Sequence, residues 1–218
     1  MPIPIPTPIF RFVHIGNLDT ILRHEGMFAF NSWPDDELPY IRIYDQEIQE
    51  VRSGKRVTCG AGGVINDYIA FYFGYLSPMM LRLKTGRVEG FHDGQEPLIY
   101  LVSTAQKVVQ KEIRFVFSDG HGIANLTNWY DDLSQLDKVD WDMVYERYWA
   151  DKTDTLENMD RQRRKQAEFL ICDFCPWDLI DEIAVINQRI KFEVEGVLAN
   201  FSVDIHRPVA IRRDWYYH

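Results

Sequence analysis

The chain has only three cysteines, Cys59, Cys172 and Cys175. So few, and an odd number, exclude a disulfide framework. Cys172 and Cys175 form a C-x-x-C, but zinc needs two more ligands. No second cysteine pair supplies them, and the six histidines, His14, His24, His92, His121, His206 and His218, contain no i, i+4 pair. No metal site is expected; a redox pair would open a helix after a strand, which "CDFCPW" fits loosely, and Cys172 and Cys175 read rather as packing residues at a strand end. No G-x-G-x-x-G follows the first strand, and neither G-x-x-x-x-G-K-[ST] nor G-x-S-x-G occurs. A Rossmann-type dinucleotide fold, a P-loop and a serine-hydrolase elbow are therefore not signalled. No apolar run approaches the ~20 residues of a membrane helix. The opening "MPIPIPTPIF" lacks the basic and apolar regions of a signal peptide, so a cytoplasmic location is expected.

What is present suits an ordinary folded chain. Its 218 residues suffice for one substantial core, with 46% apolar and 26% charged residues. Aromatics at 14% serve stacking sites as well as cores. The net charge of −9 argues at first against nucleic acid. Between Asp119 and Asp160, however, 11 acidic residues face only Lys138, Arg147 and Lys152, so the remainder is nearly neutral. That remainder holds "RQRRK" at 161–165 and "IRRDW" at 211–215. A basic groove beside an acidic wall is one reading; a solvated mixed surface is the plainer one.

Apolar and β-branched runs predict strands at "PIFRFVHI" (8–15), "EPLIYLVS" (96–103), "IRFVFSD", "QAEFLIC", "DEIAVIN" and the closing "RPVAIRRDWYY". Helices are predicted at "GNLDTILRHEG", capped by Asn17, at "TAQKVVQKE", "ANLTNWYDDLSQL" and "DWDMVYERYW", and more weakly at the polar segment ending at Gly54. "QRIKFEVEGVLANF" is an amphipathic helix with Ile190, Val194, Val197 and Leu198 on one side. No repeat or linker interrupts the chain, and one mixed α+β domain over 1–218 is expected.

The chemistry left is a carboxylate, Glu168, with arginines, histidines and tyrosines. Glu168 stands in "RRKQAEFLI", between a basic cluster and an apolar run. It is either a strand end reaching water or a charge held beside a cationic ligand. A carboxylate of the second kind stabilises positive charge that develops during a metal-free reaction.

In order along the chain, "VINDYIAFYFGYLSPMM", "EPLIYLVS", "IRFVFSDGHG", "RRKQAEFLI" and "RRDWYY" resemble the DarT family of DNA ADP-ribosyltransferase toxins. The resemblance spans nearly the whole chain. It implies an ADP-ribosyltransferase fold of mixed sheets with flanking helices, and NAD as the ADP-ribose donor. It also implies a base of single-stranded DNA as acceptor and a DarG-type macrodomain antitoxin as partner. Thymine is the expected base, because the motifs match the thymidine-modifying branch, and a monomer is expected. The alternatives are a guanine-modifying enzyme, a transferase acting on protein or RNA, and an inactive NAD- or DNA-binding module.

Residue by residue, Glu168 matches the family's catalytic glutamate, and Arg52 in "IQEVRSGKR" its second active-site residue. Lys55 and Arg56 lie close enough in this loop-like stretch to substitute for Arg52. Arg11, Phe12, Val13 and His14 match the nicotinamide-binding strand, whose backbone grips the carboxamide. Thr20 and Phe28 match further NAD contacts, and Tyr72 the tyrosine that stacks on nicotinamide. Phe71 and Phe73 then point to the opposite face and fill core. Met79 and His121 match positions near the acceptor nucleotide.

Overall fold

The computed structural model describes residues 1–218 and builds them into one eight-stranded sheet and one two-stranded ribbon. The first half contributes β1 (Pro8–His14), α1 (Leu18–Arg23), β2 (Gly26–Phe28), α2 (Gln46–Gly54), β3 (Tyr68–Tyr72), α3 (Pro78–Lys84), β4 (Leu98–Thr104) and α4 (Ala105–Gln110). The second half contributes β5 (Phe115–Ser118), β6 (Trp129–Tyr130), α5 (Trp141–Tyr145), α6 (Arg161–Lys165), β7 (Glu168–Cys172), β8 (Phe174–Pro176), β9 (Glu182–Val185), α7 (Gln188–Leu198) and β10 (Val209–Ile211). The large sheet runs β10-β9-β4-β1-β3-β7-β5-β6, and β2 pairs with β8. Only β10 beside β9 is parallel; the other pairs are antiparallel. The architecture is mixed α+β, as expected.

Strand alternation divides the apolar side chains between two faces. Ile9 and Val13 of β1 join Phe71, Phe169 and Ile171 in the main core, closed by α1 and α7. Phe10 and Phe12 turn the other way, toward Met80, Leu83, Tyr100 and Tyr216. On α7, Ile190, Val194 and Leu198 are buried as the periodicity predicts, and Val197 is partly so. Each such buried aliphatic side chain contributes about 1.5–3 kcal/mol relative to exposure.

Four local expectations are corrected. The "ANLTNWYDDLSQL" segment is not a helix: Trp129–Tyr130 pairs with β5 (Phe117↔Tyr130), and a 3-10 stretch follows at Leu133–Lys138. Tyr130 stacks on buried Phe117 at 5.2 Å, while Leu126 is exposed, so no continuous apolar stripe supports a helix there. "DWDMVYERYW" is helical only through Tyr145. The closing segment is a strand only at Val209–Ile211; beyond it, the buried Tyr216 hydroxyl donates to the carbonyls of Leu98 (2.9 Å) and Ala184 (3.2 Å). Asn17 makes no side-chain cap on α1, because its amide is used on Ile41 instead.

The basic cluster is not a free groove either. Arg163 is paired with Asp119 (2.9 Å) and Asp160 (2.8 Å), and Arg164 with Asp140. These pairs fasten α6 to the acidic segment, directly ahead of β7. Lys165 is 3% exposed and donates to the Val144 carbonyl at 2.6 Å. Burial lowers its pKa from 10.5 to about 7. The unfolded chain holds that proton up to pH 10.5 and the folded chain only to about 7, so stability should rise with pH across this window. Denaturant midpoints at both ends of the window should diverge in the wild type and converge in Lys165→Met. An unchanged slope in the variant would remove Lys165 as the cause.

Candidate active site

A break in the sheet creates the site. β1 pairs with β4 over all seven residues, from Pro8↔Thr104 to His14↔Leu98, but with β3 only at Phe10↔Tyr72. Past that point the β3-facing edge of β1 has no ladder partner. Backbone groups so placed must find another hydrogen-bonding partner. Arg11 spans the gap, its Nη1 donating to the Ala70 carbonyl at 2.8 Å. The divergence opens a cavity of about 660 Å³ lined partly by Arg11, Phe12, Val13 and Tyr72. This is the size of small-molecule and cofactor sites.

Glu168 begins β7 opposite Tyr72 and is 1% exposed, so it is no strand end reaching water. Arg52 Nη1 lies 3.2 Å from both carboxylate oxygens. Arg52 lines the cavity and covers Glu168, which lies behind it. The Glu168 N–H donates to Ser118 Oγ (3.1 Å), which donates to the Gly120 carbonyl (2.6 Å). Behind the carboxylate, a β-carbon at Gly122 would come 3.4 Å from Oε2 and 3.0 Å from the Ile65 side chain, so the packing there is close. The carboxylate is thus fixed from backbone, side-chain and rear sides.

His121 and Met79 line the same cavity. Burial lowers the His121 pKa; nearby Glu168 opposes this and Arg52 reinforces it. The Tyr72 ring stacks on Phe12 (6.0 Å, 11°), and burial raises its hydroxyl pKa. Phe71 and Phe73 are fully buried on the other side. Met79 is held in place from the C-terminus: Ser77 caps α3, Tyr217 Oη donates to the Leu76 carbonyl just ahead of it, and Trp149 Nε1 donates to Tyr217 Oη (2.7 Å).

Phe28 lines the cavity on the side of β2. Thr20 does not: it is 2% exposed, and its hydroxyl donates to the Pro39 carbonyl at 2.7 Å. It fixes the loop wall that carries Tyr40 rather than presenting itself. His14 also lies off the cavity, accepting from the Gly16 N–H (3.0 Å) and facing Asp93 at 3.5 Å. Lys55 and Arg56 line a separate recess with Trp129, so neither stands where Arg52 stands. The cysteines are free, and burial raises the Cys175 thiol to about 12 and Cys59 and Cys172 to about 11, which disfavours redox chemistry. No group of three His, Cys, Asp or Glu is placed to hold a metal ion, and no helix is long and apolar enough to cross a membrane.

Residues 10–217 match the family model described as "ssDNA thymidine ADP-ribosyltransferase, DarT". The chain belongs to the DarT family. A DNA ADP-ribosyl transferase of Thermus sp. (strain 2.9) is 41% identical over 215 residues, 98% of each chain. The structure of Thermus sp. 2.9 DarT in complex with ADP-ribosylated ssDNA is similar with a TM-score of 0.91 at 39% identity, covering 100% of this chain and 99% of that one. The same Thermus DarT in complex with NAD+ gives 0.87 at 37% identity, covering 99% and 100%.

Several cavity residues of this DarT-family chain were not singled out by sequence: Gln49, Asn66, Arg82, Gln162 and Gln166. Gln49 alone had a signal, one helical turn before Arg52 on α2. Arg82 reaches across from α3 to Asp45, the N-cap of α2, a pairing between distant segments that spacing does not reveal.

Proposed function

We propose that this chain transfers ADP-ribose from NAD to a base of single-stranded DNA, thymine, and releases nicotinamide. The observation that carries the reading is the Arg52–Glu168 pair, buried beside a ligand-sized cavity in a member of the DarT family. The unpaired edge of Arg11 to Val13 suits the nicotinamide carboxamide, which needs one donor and one acceptor. Phe28 and Tyr72 offer ring surfaces to the same ligand.

Breaking the bond between the ribose anomeric carbon and nicotinamide sends the electron pair to the leaving group, which departs neutral. Positive charge develops on the ribose, as in glycoside cleavage. Glu168 is the one buried carboxylate at the site, and its stabilisation counts most when that charge appears. N3 of thymine, the one ring nitrogen not bonded to deoxyribose, then bonds to the anomeric carbon, and its proton passes to solvent. Arg52 contacts Glu168 through Nη1 only, which leaves further N–H donors for a phosphate or for negative charge on the base. Met79 and His121 flank the position of an unstacked base. A DarG-type macrodomain antitoxin, a cytoplasmic location, a monomeric state and a single domain over 1–218 belong to the same proposal, on the strength of the family.

Base chemistry at a recessed site requires an extruded base, so single strands should be modified far faster than blunt duplex of the same sequence. Transfer at subsaturating DNA should also fall with added salt. Labelled NAD with matched single- and double-stranded oligonucleotides checks both; equal rates on the two substrates would contradict the reading.

A further inference from the structure

Asn66 is 2% exposed, lines the cavity, and its Nδ2 has no hydrogen-bond partner. A buried donor left unmade is costly, so such a group in a native site needs an explanation. Its other atom is spoken for: Asn66 Oδ1 accepts from Gln49 Nε2 at 2.9 Å. That bond holds one end of the amide against Gln49 and leaves Nδ2 as its free end. Gln49 stands one turn before Arg52 on α2 and lines the cavity as well. Asn17, another buried asparagine of the same cavity, provides the contrast. Both ends of its amide are used by Ile41, at 2.9 and 2.6 Å. Asn17 is therefore structural, while Asn66 is half-satisfied and rigid.

We propose that Asn66 is an NAD-binding residue, donating through Nδ2 to an oxygen of the ribose–pyrophosphate part of the donor, with Gln49 as the residue that orients it. This rests on the NAD reading above. Position along the cleft selects the donor over the DNA base. Met79 follows the C-terminal end of β3, and Glu168 pairs with Tyr72 at that end. Asn66 precedes the other end, Tyr68, and the strand alone spans about 13 Å between them at ~3.3 Å per residue. A base seated against Met79 lies beyond the far end of β3 from Asn66, whereas an extended dinucleotide reaching from Tyr72 along the cleft comes back to it. A lone-pair oxygen is the complement that a fixed N–H requires.

The test is calorimetric titration with carba-NAD, an analogue that is not turned over, together with KM for a single-stranded oligonucleotide at saturating NAD. Asn66→Ala should weaken carba-NAD binding about tenfold. Asn66→Asp keeps the size and the acceptor that Gln49 uses but replaces the donor by a charged oxygen, and should bind more weakly still. KM for DNA should change by no more than about twofold in either, a split that general loss of structure would not produce. Wild-type affinity for carba-NAD in Asn66→Asp, or a change confined to the DNA KM, would overturn the assignment. Loss of the fold in both variants would do the same, by giving Asn66 to the scaffold. Failure of the wild type itself to bind carba-NAD is a different result, and counts against the NAD reading as a whole.

Discussion

Replacing Glu168 by glutamine is expected to lower ADP-ribose transfer by about 10²–10³, the usual loss on removing one electrostatic stabiliser of a transition state. The substitution keeps shape and volume in a site that is 1% exposed. The backbone bond from residue 168 to Ser118 Oγ is untouched, and so is the pairing with Tyr72. What disappears is the full negative charge facing the ribose. Arg52 loses its ion pair but is 14% exposed and keeps contact with water, so no fully buried cation is stranded. The fold should therefore persist, as checked by the denaturant midpoint. Glu168→Ala should lose as much activity. A variant within a few-fold of wild type in labelled-NAD transfer would remove Glu168 from the chemistry.

Arg52→Ala should fail differently. It leaves a carboxylate buried with no cationic partner, which costs stability, up to about 3 kcal/mol. NAD binding and the rate at saturating NAD should fall together, each by about ten- to a hundredfold, because the proposed mechanism uses the same guanidinium for the ligand and for the attacked base. Arg52→Lys restores the charge but not the planar fork, and should recover little of the rate. Arg56→Ala is the control. Arg56 is exposed and lies in a separate recess, so its loss should leave NAD binding intact. Healthy Arg52→Ala and dead Arg56→Ala would reverse the roles assigned to this helix end.

The parts of the fold that were legible are those whose period is carried by buried side chains. β4, β7 and α7 each present a run or stripe that stands alone in the sequence, and each is where the pattern puts it. β6 was not legible, because two residues acquire strand character only by pairing with β5 from another segment. β2 and β8, three residues each, exist only as partners of one another. For the site, the motifs drew attention to Glu168, Arg52, Tyr72, Met79 and His121, and these do meet around one cavity and its floor. Asn66 carried no such signal and Gln49 only its spacing from Arg52: an asparagine in a one-turn 3-10 segment and a glutamine on a polar helix gain meaning only when packing leaves one amide hydrogen unmet. Thr20 and His14 show the reverse, matching a motif while their side chains serve neighbouring loops.

The most direct test of the central claim is mass spectrometry of a single-stranded oligonucleotide containing all four bases, incubated with NAD and this protein. The account predicts one added ADP-ribosyl group on a thymine, with nicotinamide released in equal amount, and no product from Glu168→Gln. An oligonucleotide recovered unmodified while ADP-ribose accumulates on protein would contradict it.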